Sequence, residues 1–230
     1  MSSNTVVSTV AAPMSSYADI VAAVKSECAK INVVFSTEGD GRLDSAMKEK
    51  NYLDLLVKGL NTNYPSIPVE IGDARFWYDI RIGTIPINLK LTTGTTDNAF
   101  NKVACITTVL GQEGTVRNMN YNQFYRALKE GSKKSEREFM SEYHYLVVDK
   151  KSAKVLFKSI LDIHTYKTNP CNILQINWKK EFENIEYATE PSDFKKKIQE
   201  LLKSIQASLR QSVESMKEFL EADIEHDFPK

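Results

Sequence analysis

Residues 76–102 read FWYDIRIGTIPINLKLTTGTTDNAFNK. Within them, Ile85, Ile87, Leu89 and Leu91 alternate with Pro86, Asn88, Lys90 and Thr92. A period of two marks a half-buried strand and makes Asn88 and Lys90 neighbours on one face. Just ahead, residues 76–82 interleave hydrophobic residues with Tyr78, Asp79 and Arg81, and Gly83-Thr84 supplies a turn. Paired as a tight hairpin, the two strands bring Asp79 to the face that carries Asn88 and Lys90. A carboxylate, an amide oxygen and an ammonium at one point suit metal-assisted phosphodiester cleavage. The same charges also fit a solvated sheet face with a weak cross-strand ion pair. Pro86 and Asn88 favour the site, since both residue types are depleted in strands and rule-breaking residues tend to be functional.

This layout resembles the PD-(D/E)XK nuclease superfamily, to which most Type II restriction endonucleases belong. The family signature is an acid on one strand, then an acid, any residue and a lysine on the next. Asp79 matches the first acid and Lys90 the lysine, whereas Asn88 stands where the family usually has Glu or Asp. The resemblance covers residues 43–180. It implies an α/β, restriction-endonuclease-like fold: a mixed central β-sheet flanked by helices, with a helical C-terminal extension, in a single domain over residues 1–230. It further implies Mg²⁺ as cofactor, double-stranded DNA as substrate, and a homodimer matched to palindromic sites in a restriction-modification setting. By that likeness Asp79 binds the metal, and Asn88 offers its amide oxygen or holds a metal-bound water. The carbonyl of Leu89 is a further ligand, and Lys90 orients the nucleophile. In many restriction enzymes the helix before the catalytic sheet lends a Glu, which makes Glu49 a catalytic candidate. Glu38 and Asp40 are alternatives to it, and Glu70 or Asp73 is another possible source of a second carboxylate.

Composition frames this reading. The chain has 230 residues, enough for one ordinary domain with a real core. Its 30 basic residues balance 30 acidic ones, so DNA contact must rest on local segregation of charge rather than a global field. No metal-ligand spacing joins Cys28, Cys105 and Cys171 to His144, His164 or His226, which argues against a zinc site. The leading MSSNTVVSTVAAP lacks a basic region and a long apolar core, so it does not read as a signal peptide. No apolar run approaches the roughly 20 residues a membrane span needs. The expectation is a cytoplasmic protein with reduced cysteines.

Along the chain, Ser16 caps a helix over residues 17–29, and a second helix covers 43–60 with Leu43, Met47, Leu53, Leu56, Val57 and Leu60 as its apolar positions. Thr96 or Asp97 caps a helix that begins at Ala99. Helix N-termini attract anions, so a phosphate near this turn, within reach of Asn98 and Lys102, is expected. Residues 111–142 form a polar insertion in which Arg117, Arg126, Lys133 and Lys134 mingle with aromatic residues, a composition suited to DNA contact or to a solvent-exposed helical lobe. The core resumes with strands over 143–148 and 172–178, separated by a mixed segment at 154–163 and a loop at 167–170 whose Lys167 and Asn169 are further DNA-contact candidates. A long helix over residues 192–222 carries a continuous apolar stripe for the chain's own core or for a second copy. The alternatives to a sequence-specific endonuclease are a catalytically weak DNA-binding or repair protein on the same fold, and a structural oligomer.

Overall fold

The computed structural model describes residues 16–31, 41–73, 76–93, 98–111, 119–133, 142–169, 172–184 and 194–222. The Ser16 hydroxyl accepts the Asp19 N–H, and the Asp19 carboxylate takes the Ser16 N–H, a reciprocal capping box that starts α1 (Tyr17–Lys30). The second helix, α2 (Gly41–Asn63), is longer than its apolar pattern predicts. It buries Tyr52, Leu56 and Leu60, while Met47 is 68% exposed. Three residues before Tyr52, Glu49 falls on that same stripe. Gly59 brings α2 close to α1, since a Cβ there would strike the buried Glu27 carboxylate. Lys30 and Asn63 satisfy that carboxylate at 2.6 and 3.1 Å.

The strands are β1 (Val69–Ile71), β2 (Ile80–Ile82), β3 (Ile85–Thr92), β4 (Asn98–Ala99), β5 (His144–Asp149), β6 (Val155–Ser159), β7 (Tyr166–Asn169) and β8 (Asn172–Ile176). The remaining helices are α3 (Lys102–Leu110), α4 (Tyr121–Gly131), α5 (Trp178–Glu183), α6 (Phe194–Ser215) and α7 (Lys217–Glu221). The central sheet is mixed and ordered β1-β2-β3-β5-β6. Only β3 and β5 run parallel, so the chain between them crosses over through β4, α3 and α4. Gly83, at φ 59°, supplies the left-handed residue that turns β2 into β3. Pro86 lies opposite Arg81, one residue before β3 begins to pair with β5 at Ile87. The N–H that Pro86 lacks therefore costs no ladder bond, a structural reason for a residue whose presence seemed to call for a functional one.

Both faces of this sheet are covered. On one, Ile80, Ile82, Ile85, Ile87, Leu89 and Leu91 pack with the buried residues of α1 and α2. On the other, Tyr143, Tyr145 and Val147 pack with α3, α4, α6 and a small sheet ordered β4-β8-β7. The polar side of β3 therefore faces other elements of the protein rather than bulk solvent. With both its faces covered, β5 is buried along almost its whole length.

The small sheet revises several local expectations. Asn98 and Ala99 pair with β8, so the next helix starts at Lys102 and is capped by Asn101. Thr96 and Asp97 lie outside the described residues. Of the loop expected over 167–170, residues 167–169 belong to β7 and Pro170 lies outside the described residues. Trp178, expected to end a strand, opens α5 instead. The mixed segment resolves into β6 and a short 3-10 turn over Ile160–Asp162. The helix expected over 192–222 is two in its described part, α6 and α7, with a turn at Met216 between them. α6 buries Phe194, Ile198, Leu201 and Ile205, whereas Val213 near its end, Met216 and Leu220 on α7 are exposed. Among the described residues, no helix is long and apolar enough to cross a membrane.

Candidate active site

β3 is eight residues long, but β2 pairs with it only as far as Ile87. The Asp79 N–H makes the last bond, to the Ile87 carbonyl at 2.9 Å, and the chain then bends away. The Leu89 and Leu91 N–H groups would otherwise be open on that edge. Two carboxylates take the place of the missing strand: Asp79 Oδ2 accepts from Leu89 at 2.8 Å, and Glu49 Oε1 from Leu91 at 3.3 Å. Lys90 Nζ lies 3.8 Å from Asp79 and 3.6 Å from Glu49. Asp79, Glu49 and Lys90 thus converge, drawn from a bend, a helix and a strand. The N–H and carbonyl of one strand residue leave on the same side, so the Leu89 carbonyl emerges on the edge the carboxylates cap.

The other proposed acids are placed elsewhere. Glu70 is 63% exposed, accepts from the Tyr78 hydroxyl at 3.0 Å and sits 3.8 Å from Arg81. Asp73 is exposed, and Glu38 and Asp40 lie outside the described residues. The carboxylate that joins Asp79 at Lys90 is that of Glu49. Its signal in the sequence is an acid in phase with Tyr52, Leu56 and Leu60 on a helix face that is otherwise core.

Asn88 and Lys90 line a cleft of about 540 Å³ whose far side is the N-terminal end of α3. Behind it runs a chain of aromatic contacts: Trp77 stacks on Tyr143 at 5.8 Å, Tyr143 meets Tyr145 at 5.4 Å, and Tyr145 meets Trp178 at 5.2 Å. Trp178 Nε1 donates to Asn98 Oδ1 at 2.6 Å, which fixes one cleft residue against the core. Burial pushes the Tyr143 phenol well above its ordinary range, helped by Tyr145 and by the Asp79 carboxylate, so its hydroxyl stays protonated. Tyr143 and Tyr145 were not anticipated as site residues. Their trace in the sequence is two tyrosines two apart at the start of the strand that pairs with β3.

The candidate DNA contacts are dispersed. Asn98 and Lys102 line the cleft, but the Lys102 ammonium is held by the Met119 carbonyl at 2.8 Å and lies 4.4 Å over the Tyr121 ring. Arg126 is exposed on α4, and Lys133 pairs with Glu130 at 2.8 Å just beyond it. Lys167 is exposed on β7, and the Asn169 backbone pairs with Asn172. Arg117 and Lys134 lie outside the described residues.

Among the described residues, no group of three or more His, Cys, Asp or Glu is placed to hold a metal ion. The β3 edge offers instead two carboxylates and a backbone carbonyl. These are hard oxygen donors, and Mg²⁺ commonly uses one or two carboxylates and fills its other positions with water and phosphate. Asp79 and Glu49 share the Lys90 cation, so the pair already sits where positive charge is accommodated. Comparison with protein-family models, with curated proteins and with solved structures gives no match.

Proposed function

We propose that this protein is a Mg²⁺-dependent endonuclease of the PD-(D/E)XK kind that cuts double-stranded DNA in the manner of a Type II restriction enzyme. The observation that carries the proposal is the convergence of Glu49, Asp79 and Lys90 on the open edge of β3. The mixed central sheet flanked by helices, with β1, β2 and β3 antiparallel and β5 parallel to β3, supports the same reading, because a sheet of that general kind is what the resemblance implies.

Asp79, Glu49 and the Leu89 carbonyl would hold the ion. Once bound, the metal supplies a lowered water pKa and neutralises charge at the phosphate. The Leu89 and Leu91 N–H groups fix the two carboxylates before any substrate arrives. Lys90 donates to the attacking water or to a non-bridging phosphate oxygen, which is preorganised stabilisation of developing charge. Asn88 presents its amide beside Lys90 and positions water without adding negative charge. A second copy packed on the exposed turns of α6 and α7, through Val213, Met216 and Leu220, would give the two-fold arrangement a palindromic site needs.

Purified protein incubated with a mixed-sequence plasmid, in Mg²⁺ or in EDTA, tests this directly beside Asp79→Ala. Discrete fragments that need Mg²⁺ and vanish in the variant are the expected result. Asn88 favours a second reading, a DNA-binding protein that no longer cuts. Plasmid left intact but bound in a salt-dependent way would select that reading.

A further inference from the structure

The cleft beside Lys90 has a chemical bias of its own. Among the described residues that line it, none is acidic. Tyr143, fully buried on its wall, has a hydroxyl that completes no close hydrogen bond and has only the Asn101 side chain as a weak polar neighbour. Tyr145 accepts the Asn101 N–H at 3.4 Å through its hydroxyl oxygen, which leaves its proton to give. At the start of α3, the Lys102 N–H bonds the Phe100 carbonyl at 3.1 Å and the Ala104 N–H bonds Asn101 Oδ1 at 3.0 Å. Between them, the N–H of Val103, another lining residue, is one of the donors a helix start leaves over. A phenol with no close hydrogen bond, a free helix-terminal amide and an ammonium therefore bound one space. Native proteins rarely leave a buried donor unpaired without a reason.

We propose that this cleft is a phosphate-binding subsite that holds a backbone phosphate of the DNA strand beside the carboxylate edge, without a metal. The dipole of α3 and its leading amide favour an anion, and Tyr143 and Tyr145 complete the donor set. Lys90 stands between this phosphate and Asp79, and so screens one from the other. The cleft is larger than a lone phosphate, which leaves room for the attached sugar. The identity of the phosphate's carrier rests on the nuclease reading, whereas the anion site itself does not.

The test is calorimetric titration of the whole protein in EDTA with inorganic phosphate, followed by competition with a short mixed-sequence duplex. Wild type is expected to bind phosphate saturably and to release it to the duplex. Tyr143→Phe loses no close hydrogen bond and is expected to melt near wild type, yet to bind phosphate about tenfold or more weakly. Asp79→Asn, which removes a negative charge near Tyr143 and none of the proposed phosphate donors, is expected to bind phosphate at least as well as wild type. Absence of phosphate binding, or equal affinity in Tyr143→Phe, overturns the subsite. Phosphate that the duplex cannot displace overturns its role with DNA. Phosphate binding without plasmid cleavage in Mg²⁺ keeps the anion site and removes the nuclease reading; cleavage without phosphate binding does the reverse.

Discussion

The Asp79 carboxylate accepts the Leu89 N–H at 2.8 Å where β2 has turned away from β3. Glu49 repeats the arrangement one pleat further along, at Leu91. An open strand edge is a liability that proteins often blunt with charge. Here the two charges that blunt it also face the Lys90 ammonium, so each carboxylate both caps backbone and contributes to the site. The helix and the hairpin are thereby locked together at the point where the chemistry is proposed.

Separating those two roles is the first prediction. Asp79→Asn keeps an acceptor for the Leu89 N–H and removes only the charge. It is expected to melt close to wild type while Mg²⁺-dependent cleavage falls by about a hundredfold or more. Asp79→Ala is expected to lose cleavage and also about 1–3 kcal/mol of stability, because it leaves a backbone donor unpaired. Wild-type cleavage by Asp79→Asn would remove Asp79 from the metal site.

Lys90 occupies the ground between two carboxylates that a divalent ion would share. Lys90→Met is therefore expected to bind Mg²⁺ or Mn²⁺ more tightly in calorimetry, since a competing cation is gone. The same variant should cut far more slowly, because no ammonium remains beside the phosphate. Loss of metal binding together with loss of cleavage would instead point to a purely structural lysine.

Asn88→Asp restores the carboxylate the family pattern carries. Lower Mg²⁺ requirement, read as the midpoint of a cleavage-against-Mg²⁺ curve, is the expected outcome. An unchanged midpoint would place Asn88 outside the metal's reach.

His144 gives a prediction independent of catalysis. Its Nδ1 lies 2.6 Å from the Glu142 carbonyl, which can only accept, so Nδ1 carries the proton and Nε2 accepts from the Tyr17 hydroxyl at 2.7 Å. Burial drives its pKa down to about 4, with the Lys197 cation adding to the effect while the Glu142 carbonyl and Asp162 oppose it. The unfolded chain takes up the proton near the ordinary value of about 6.5, before the folded chain does. The stabilising effect of a neutral His144 is thus complete above about pH 6.5 and is lost as pH falls toward 4, by on the order of 3 kcal/mol. Chemical denaturation across that window should show a flatter profile for His144→Gln than for wild type. Parallel profiles would contradict the assignment.

The alternation from Ile85 to Leu91, the Ser16 cap, the Gly83 turn and the pairing of Asp79 with Lys90 were all legible in the sequence, because each depends on residues close together in the chain. Glu49 was legible only in part. Two apolar stripes compete on α2, and the choice of Tyr52, Leu56 and Leu60 over the side carrying Met47 is made by packing on α1 and β3. Pro86 misled for a similar reason: its cost depends on where the β5 pairing begins, which is a matter of register. The helix expected from Ala99 gave way to β4 because β8, more than seventy residues later, supplies its backbone partners. The parallel pairing of β3 with β5 likewise sets Tyr143 and Tyr145 beside Asn88 and Lys90. Local periodicity specifies which face of an element is apolar. Which elements then share a face is decided by burial and backbone pairing over long separations, and the cleft exists only at that level.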